Sequence, residues 1–356
     1  YVTWKSSGGS FETGMLISGG YHGGYSGFSV SASTSSLFSL QQYSAATINY
    51  TAPTLRVTTG GDPVDMGSGQ FVHETTDLVV GGGAAPRGLT FSRNYHGGRR
   101  LRNDAGLGMG WNHNLNILAV KRSDVENALG LGTPQQAAAT VAGLHAAWDV
   151  FKNRGGVKDW ALCLLIAKWA VDQLHDNAVS VALGDRVLEF HRQPDGSHTA
   201  PPGVTLALTK DGGGNYVMTE RHGNTYAFNA DGRLATITDL WGRAQSFAYA
   251  DGKLQSVTDC YGRVLTLNYT GDLLTSVSDG LGRSVGYTHD TAAKTLTKVT
   301  DVEGKDRHFE YDAQKRMTVL KNHALETLVE NVAFDAQDRV ITQHSAGDAT
   351  KVWRYY

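Results

Sequence analysis

Thirteen histidines, 34 acidic side chains and two cysteines supply the ligands and nucleophiles that chemistry would draw on. A helical metal site needs two imidazoles on one face, as in HExxH, and no such pair or other close His pair at ligand spacing is present. His113, beside Trp111 and Asn114, reads as a structural hydrogen-bonding residue. Cys163 and Cys260 have no CxxC spacing and make no zinc site. A disulfide between them is disfavoured, and Cys163, within an apolar helical pattern, reads as a buried thiol. The serines lack a GxSxG elbow, and no triad can be assigned. The chain is therefore expected to be no enzyme and to hold no cofactor and no metal.

Two glycine clusters imitate nucleotide sites. Ser18 to Gly27 lacks the Lys-Ser/Thr of a P-loop and any helix pattern behind it. Gly106-Leu-Gly-Met-Gly-Trp-Asn-His-Asn114 is not GxGxxG, and a strand pattern (Leu115 to Val120) follows it. Its glycines are expected to let the backbone pass close to the Trp111 indole. A third pattern is an aspartate ladder, Asp239, Asp259, Asp279 and Asp301, each followed three residues on by Gly242, Gly262, Gly282 and Gly304. Calcium-binding β-rolls use a nonapeptide instead, so this period does not match them. Asp-x-x-Gly has a direct local meaning. The carboxylate accepts amides two residues on, and the glycine tolerates positive φ. Arg243, Arg263, Arg283 and Lys305 would form a row if the turns stack, largely neutralised by those aspartates.

These turns are positioned by a repeat. Counting Gly223 as a weaker first member, the glycines step by 19, 20, 20 and 22 residues, the mark of a stacked architecture. Between them lie alternating strands such as Ala244 to Tyr249 and Val264 to Tyr269, and a second turn follows each of Phe228, Tyr249, Tyr269, Tyr311 and Phe334. Each unit is thus one β-hairpin, advancing about 10 Å. One hairpin cannot bury its apolar face alone. The repeat aromatics, with Leu234, Leu254, Leu274, Met317 and Val340, are expected to supply the cover. A carbohydrate-stacking role for the aromatics is the alternative.

Upstream, residues 1–60 read as a Gly/Ser/Tyr-rich β segment and 61–122 as a β module. Residues 123–180 break the pattern. An alanine-rich stretch after Pro134, a stop at Arg154-Gly-Gly156 and three- and four-residue apolar spacing from Lys158 to His175 predict an αα-hairpin insertion. Residues 181–356 hold the hairpin array. The fold class is mainly β, a tandem β-hairpin sheet ribbon with that insertion. The 43 glycines against 7 prolines fit a turn-rich chain, and a net charge of −2 gives no footprint for nucleic acid. No apolar run reaches the roughly 18 residues that span a bilayer. The chain starts at Tyr1 without a signal peptide, so a mature or cleaved product is expected.

The Tyr-Asp-Ala-Gln-x-Arg units and Asp-x-x-Gly-Arg turns resemble the YD repeats of RHS proteins, bacterial toxin-complex shells and teneurins. Gly61-Asp-Pro-Val-Asp65, Gly69-Gln-Phe-Val72, Asp77-Leu78, Leu89 to Tyr95 and Gly108 to His113 resemble the module that often precedes those repeats in bacterial members. The resemblance covers about residues 61–122 and 180–356. It implies a non-catalytic structural segment of an extracellular or cell-surface protein (shell, stalk or surface scaffold), whose partners are the rest of its parent polypeptide or further copies of itself. An adhesion module binding a cell-surface glycan or protein, or a subunit of a self-assembling extracellular filament, are the alternatives. Lys315 and Asp338 replace the repeat's usual glycine, so those two turns are expected to be distorted or of another type. The aspartyl self-cleavage segment and toxic domain of the shell-forming members are not recognisable.

Overall fold

The computed structural model describes residues 2–5, 12–22, 25–32, 64–65, 68–123, scattered positions between 141 and 173, 175–184, 186–193, 195–345 and 348–354, with backbone alone for 2–32. The chain is mainly β and divides into two units. One comprises 1–50, 120–180 and 189–201, the other 51–119, 181–188 and 202–356.

In the first unit β1 (Val2–Lys5), β2 (Glu12–His22) and β3 (Tyr25–Ala32) form an antiparallel sheet in that order, with Met15 opposite both Val2 and Ala32. Described residues at 141–145 and 165–173 are helical, but the expected αα-hairpin itself lies outside the described residues. A four-stranded sheet, in the order β10-β9-β8-β7, is made by β7 (Ile117–Arg122), β8 (Ala178–Leu183), β9 (Arg186–Arg192) and β10 (His198–Thr199), and the residues of the first three strands are divided between the two units.

The second unit holds a three-stranded sheet, β4 (Val72–Val80), β5 (Leu89–His96) and β6 (Trp111–His113), and a fifteen-stranded sheet running from β11 (Ala207–Lys210) to β25 (Asp348–Arg354). Every strand of the large sheet pairs antiparallel with its neighbours in sequence. Period-2 alternation buries one face. Phe247, Leu267, Tyr287 and Phe309 lie on it opposite Val257, Val277, Val299 and Leu320, and all eight are buried. Each contributes on the order of 1.5–3 kcal/mol. The other face carries small polar residues such as Ser246, Thr266 and Ser276, as an antiparallel sheet with one wet side permits.

The repeat aromatics stand two positions further along each strand, where the pairing shifts register. Bulges fall at Phe228, Tyr249, Tyr269, Tyr311 and Phe334, and His289 holds the same place in the fourth of these six hairpins. Their partners Leu234, Leu254, Leu274, Leu296, Met317 and Val340 are buried. Among the aromatics only Phe228 is equally buried, and the other four keep partial exposure. A bulge bends its strand and increases the twist.

The turns use one hydrogen-bond scheme. In 239–243, 259–263 and 279–283 the aspartate Oδ1 accepts the amides of the second and fourth residues on, and Oδ2 takes the arginine Nε at 2.7 Å. Asp301 accepts the amides of Glu303 and Lys305, but the Lys305 ammonium turns to Glu303. Gly242, Gly262, Gly282 and Gly304 have φ between +78° and +95°. Lys315 and Asp338 do not change the turn. Their amides bond Asp312 O and Asp335 O at 2.9 and 3.0 Å, as Gly262 bonds Asp259 O at 3.0 Å, and they adopt φ of +63° and +60°. The neighbouring Asp-to-Arg bonds are strong enough to hold an L-residue in the left-handed region, which costs about 1–2 kcal/mol.

A Cβ added to Gly262 would meet nothing within 4 Å, so its cost would be conformational alone. Gly262→Ala should destabilise by about 1 kcal/mol and Lys315→Gly should stabilise by a similar amount, read as opposite shifts of the urea midpoint at constant slope.

Candidate functional site

The chemistry-bearing side chains converge where β4, β5 and β6 meet the buried face of the large sheet, all within the second unit. β5 alternates regularly and turns Leu89, Phe91, Arg93 and Tyr95 to one side, each 1% exposed or less. β4 slips register at Asp77, between the pairs Thr76–Ser92 and Leu78–Phe91. The bulge swings the Asp77 carboxylate toward Arg93, whose Nε lies 3.1 and 2.8 Å from its two oxygens. From the large sheet, the Tyr287 hydroxyl donates to the same carboxylate at 2.8 Å. The ion pair is buried on both sides, with side chains 1% and 4% exposed.

Arg93 reaches further. Its guanidinium carbon lies 4.9 Å from the Trp111 ring and 5.3 Å from that of Phe309, and its buried Nη1 has no hydrogen-bond partner. The π faces stand in for one, a cation–π arrangement that is strongest when desolvated. Trp111 stacks edge-on to Phe309 at 4.9 Å and donates Nε1–H to the Tyr311 hydroxyl at 2.8 Å, which donates to Leu296 O at 2.9 Å. The Tyr95 hydroxyl accepts the Met317 amide at 3.1 Å.

Both edges of the sheet are gripped. On one, Arg263 and Arg283 donate to the carbonyls of Arg87 and Val79 at 2.6 and 3.0 Å. On the other, amides just past the bulges are taken by the preceding module: Leu274 by Gly106 O at 2.8 Å and Val340 by Gly69 O at 2.9 Å. Gly106 and Gly108 have positive φ, and a Cβ on them would come within 3.1 Å of Asp272 O and 2.9 Å of the Leu296 amide. The glycines at 106 and 108 thus clear the large sheet's backbone rather than the Trp111 indole. Gly110 lies against the Tyr95 ring.

Burial sets the protonation states. His73, among Trp111, Phe309, Arg93 and Arg307, is lowered to about 3, first by desolvation and then by the arginines. His113, 2% exposed and 5.1 Å from Phe91, is lowered to about 4 by desolvation, against a backbone bond with Ala105. Desolvation raises Asp77 despite Arg93. In the turns the order reverses. Burial pushes Asp239, Asp259 and Asp279 up, but the arginine and amide bonds outweigh it and hold them below the usual carboxylate value. These carboxylates are committed to turns, and among the described residues no group of three or more His, Cys, Asp or Glu is placed to hold a metal ion. Cys260 is a free thiol at a turn, and Cys163 lies outside the described residues.

Sequence reasoning separates the turn aspartates from the inward aromatics, and the structure sets them apart as sheet edge and sheet face. It did not find Asp77, Arg93, Tyr287 or Phe309 as a group. The available signal was a charged Arg93 in the apolar phase of β5, with Asp77 breaking the alternation of β4.

Residues 61–133 match a family described as Domain of unknown function (DUF6531). No curated protein matches the chain. Solved structures with detectable likeness include TcdB2-TccC3 without its hypervariable C-terminal region, at 12% identity and TM-score 0.30, over 47% of this chain and 10% of that one. A Photorhabdus luminescens Tc holotoxin pore matches at 13% identity and TM-score 0.20, over 52% of this chain and 15% of that one. The chain therefore spans roughly a tenth to a seventh of the length of these solved chains.

Arg93→Ala strands a buried Asp77 and should cost about 3–5 kcal/mol in urea unfolding, whereas Arg93→Met combined with Asp77→Leu should cost much less. His73 and His113 stay neutral when folded but take up protons when unfolded below about 6.5. Their contribution is complete above that pH and is lost on acidification toward their folded values of about 3 and 4. Between those limits stability should fall by about 1.4 kcal/mol per pH unit for each. Asp77 opposes this: its pKa is raised, so on acidification it takes up its proton in the folded chain before the unfolded one does, which adds stability as the pH falls toward 3.8. Urea curves from neutral to mildly acidic pH, compared with His73→Asn and His113→Asn, check the slope.

Proposed function

We propose that this chain is a non-catalytic structural segment of an extracellular RHS/YD-repeat protein, with the module at 61–122 seating the first hairpins of a ribbon. The observation that carries this is the seam beneath the large sheet. Asp77, Arg93, Trp111, Tyr287 and Tyr311 bond one another there rather than line an open cleft. The turn carboxylates are likewise committed, to amides and arginines. The module grips both edges of the sheet, which supports a role as the element that sets ribbon curvature. The ribbon then continues into a shell or stalk of the parent polypeptide, its main partner. A glycan platform built from the repeat aromatics Phe228, Tyr249, Tyr269, Tyr311 and Phe334 is not favoured, because Phe228 is buried, the Tyr311 hydroxyl is engaged with Trp111 and Leu296, and Arg233 and Arg316 lie over the Tyr249 and Phe334 rings.

The intact mass of the secreted native product, set beside its reading frame, tests the shell reading. A product far larger than this chain supports it. A product of this chain's mass alone refutes it in favour of a fibre or adhesin. In the chain itself, Trp111→Ala, which opens the seam, should expose the apolar face, seen as dye binding and aggregation. A hydrolase screen of the intact chain is expected to show no activity.

A further inference from the structure

The two long edges of the fifteen-stranded sheet differ in chemistry. Along the edge with the bulges, turn tips are polar, with Asp231, Asp251, Asp272 and Gln314 at the surface. Along the other edge the tips of successive turns are apolar. Leu240 and Trp241, Tyr261 and Leu281 are 63–77% exposed, and Val302 is 42% exposed. They stay exposed although the 81–88 loop binds the same edge through Arg87 and Pro86. Nothing in the turn scheme asks for apolar residues there, since the aspartate contacts only backbone amides and its own arginine.

Two of the tips are held in place. The Arg243 guanidinium lies 4.9 Å from the Trp241 ring and that of Arg263 lies 5.2 Å from Tyr261, and each arginine is bonded to its aspartate. Fixed rings lose little entropy on docking, and Trp, Tyr and Arg are the types that dominate interface energetics. The tips recur every two strands, about 10 Å apart. A surface of that period is met at every tip only by another of the same period, and a second copy presents one.

Charge chooses the alignment. With a two-fold axis at the 259–263 turn, Tyr261 meets the second copy's Tyr261 and Trp241 meets its Leu281. One step further, the exposed Arg221 comes opposite the second copy's exposed Glu303, whose carboxylate its own Lys305 also approaches. We propose that this apolar edge is an isologous dimer interface between two copies of the chain, centred on Tyr261 and flanked by two Arg221–Glu303 pairs. A two-fold contact closes on itself, so it yields dimers and not filaments. It does not depend on the shell reading above.

Sedimentation velocity of the full chain over a wide concentration range tests this. A monomer–dimer equilibrium is expected. Tyr261→Asp and Trp241→Asp should each raise the dissociation constant roughly tenfold or more. Both sites are exposed tips, and circular dichroism should show the variants folded. Arg221→Glu should weaken the dimer, and adding Glu303→Arg should restore it. A chain that stays monomeric, open-ended growth, a dimer indifferent to Tyr261→Asp, or a reversal that restores nothing would each overturn the proposal.

Discussion

The large sheet and the β4–β6 module each present an apolar face that water would penalise, and each is the other's cover. Hairpins lend one another cover only at their sides, through cross-strand pairs such as Val257–Leu265 and Val277–Val285. Their common face still needs a lid. Phe91, Tyr95 and Trp111 supply it against Tyr287, Phe309 and Tyr311. The remaining features of this unit, from the bulges to the glycines that thread its edge, are arranged around that contact.

Within this apolar contact sits one ion pair. Placing Arg93 and Asp77 out of water carries a desolvation penalty that their attraction alone does not reliably repay. The structure offsets it with a third partner, the Tyr287 hydroxyl, and with two aromatic faces under the guanidinium. What the pair adds is position. An apolar lid could slide by one repeat along a sheet whose hairpins are alike, whereas one repeat to either side of Tyr287 Asp77 would find no hydroxyl. Leu267 and Phe309 are the equivalent residues there, and Tyr226, three repeats back, already donates its hydroxyl to Glu220.

The turns are local devices, and the seam is a nonlocal one. Asp-x-x-Gly-Arg closes itself within five residues, so its chemistry could be read before any fold was known. The same holds for the hairpin period and for the alternation in β5. Two readings went astray for a shared reason. Lys315 and Asp338 lack the expected glycine, yet their turns match the others, because hydrogen bonds around a site can outweigh a residue's own preference. Gly106 and Gly108 were assigned to the nearby indole, since sequence shows only near neighbours. Their true constraint is the backbone at Asp272 and Leu296, far along the chain.

Alone, then, the sequence determined the repeat, its turn type, the strand phase and the mainly β class, because each follows from forces acting over a few residues. It could not decide which hairpin lies over which strand of the module, nor that a register slip would deliver Asp77 to Arg93. It could not show that residues two positions before a bulge, such as Phe247, Leu267 and Phe309, would be buried more fully than most of the aromatics at it. Those outcomes depend on two distant faces being pressed together. Only in that packed state do burial, low dielectric and edge geometry act on the same side chains.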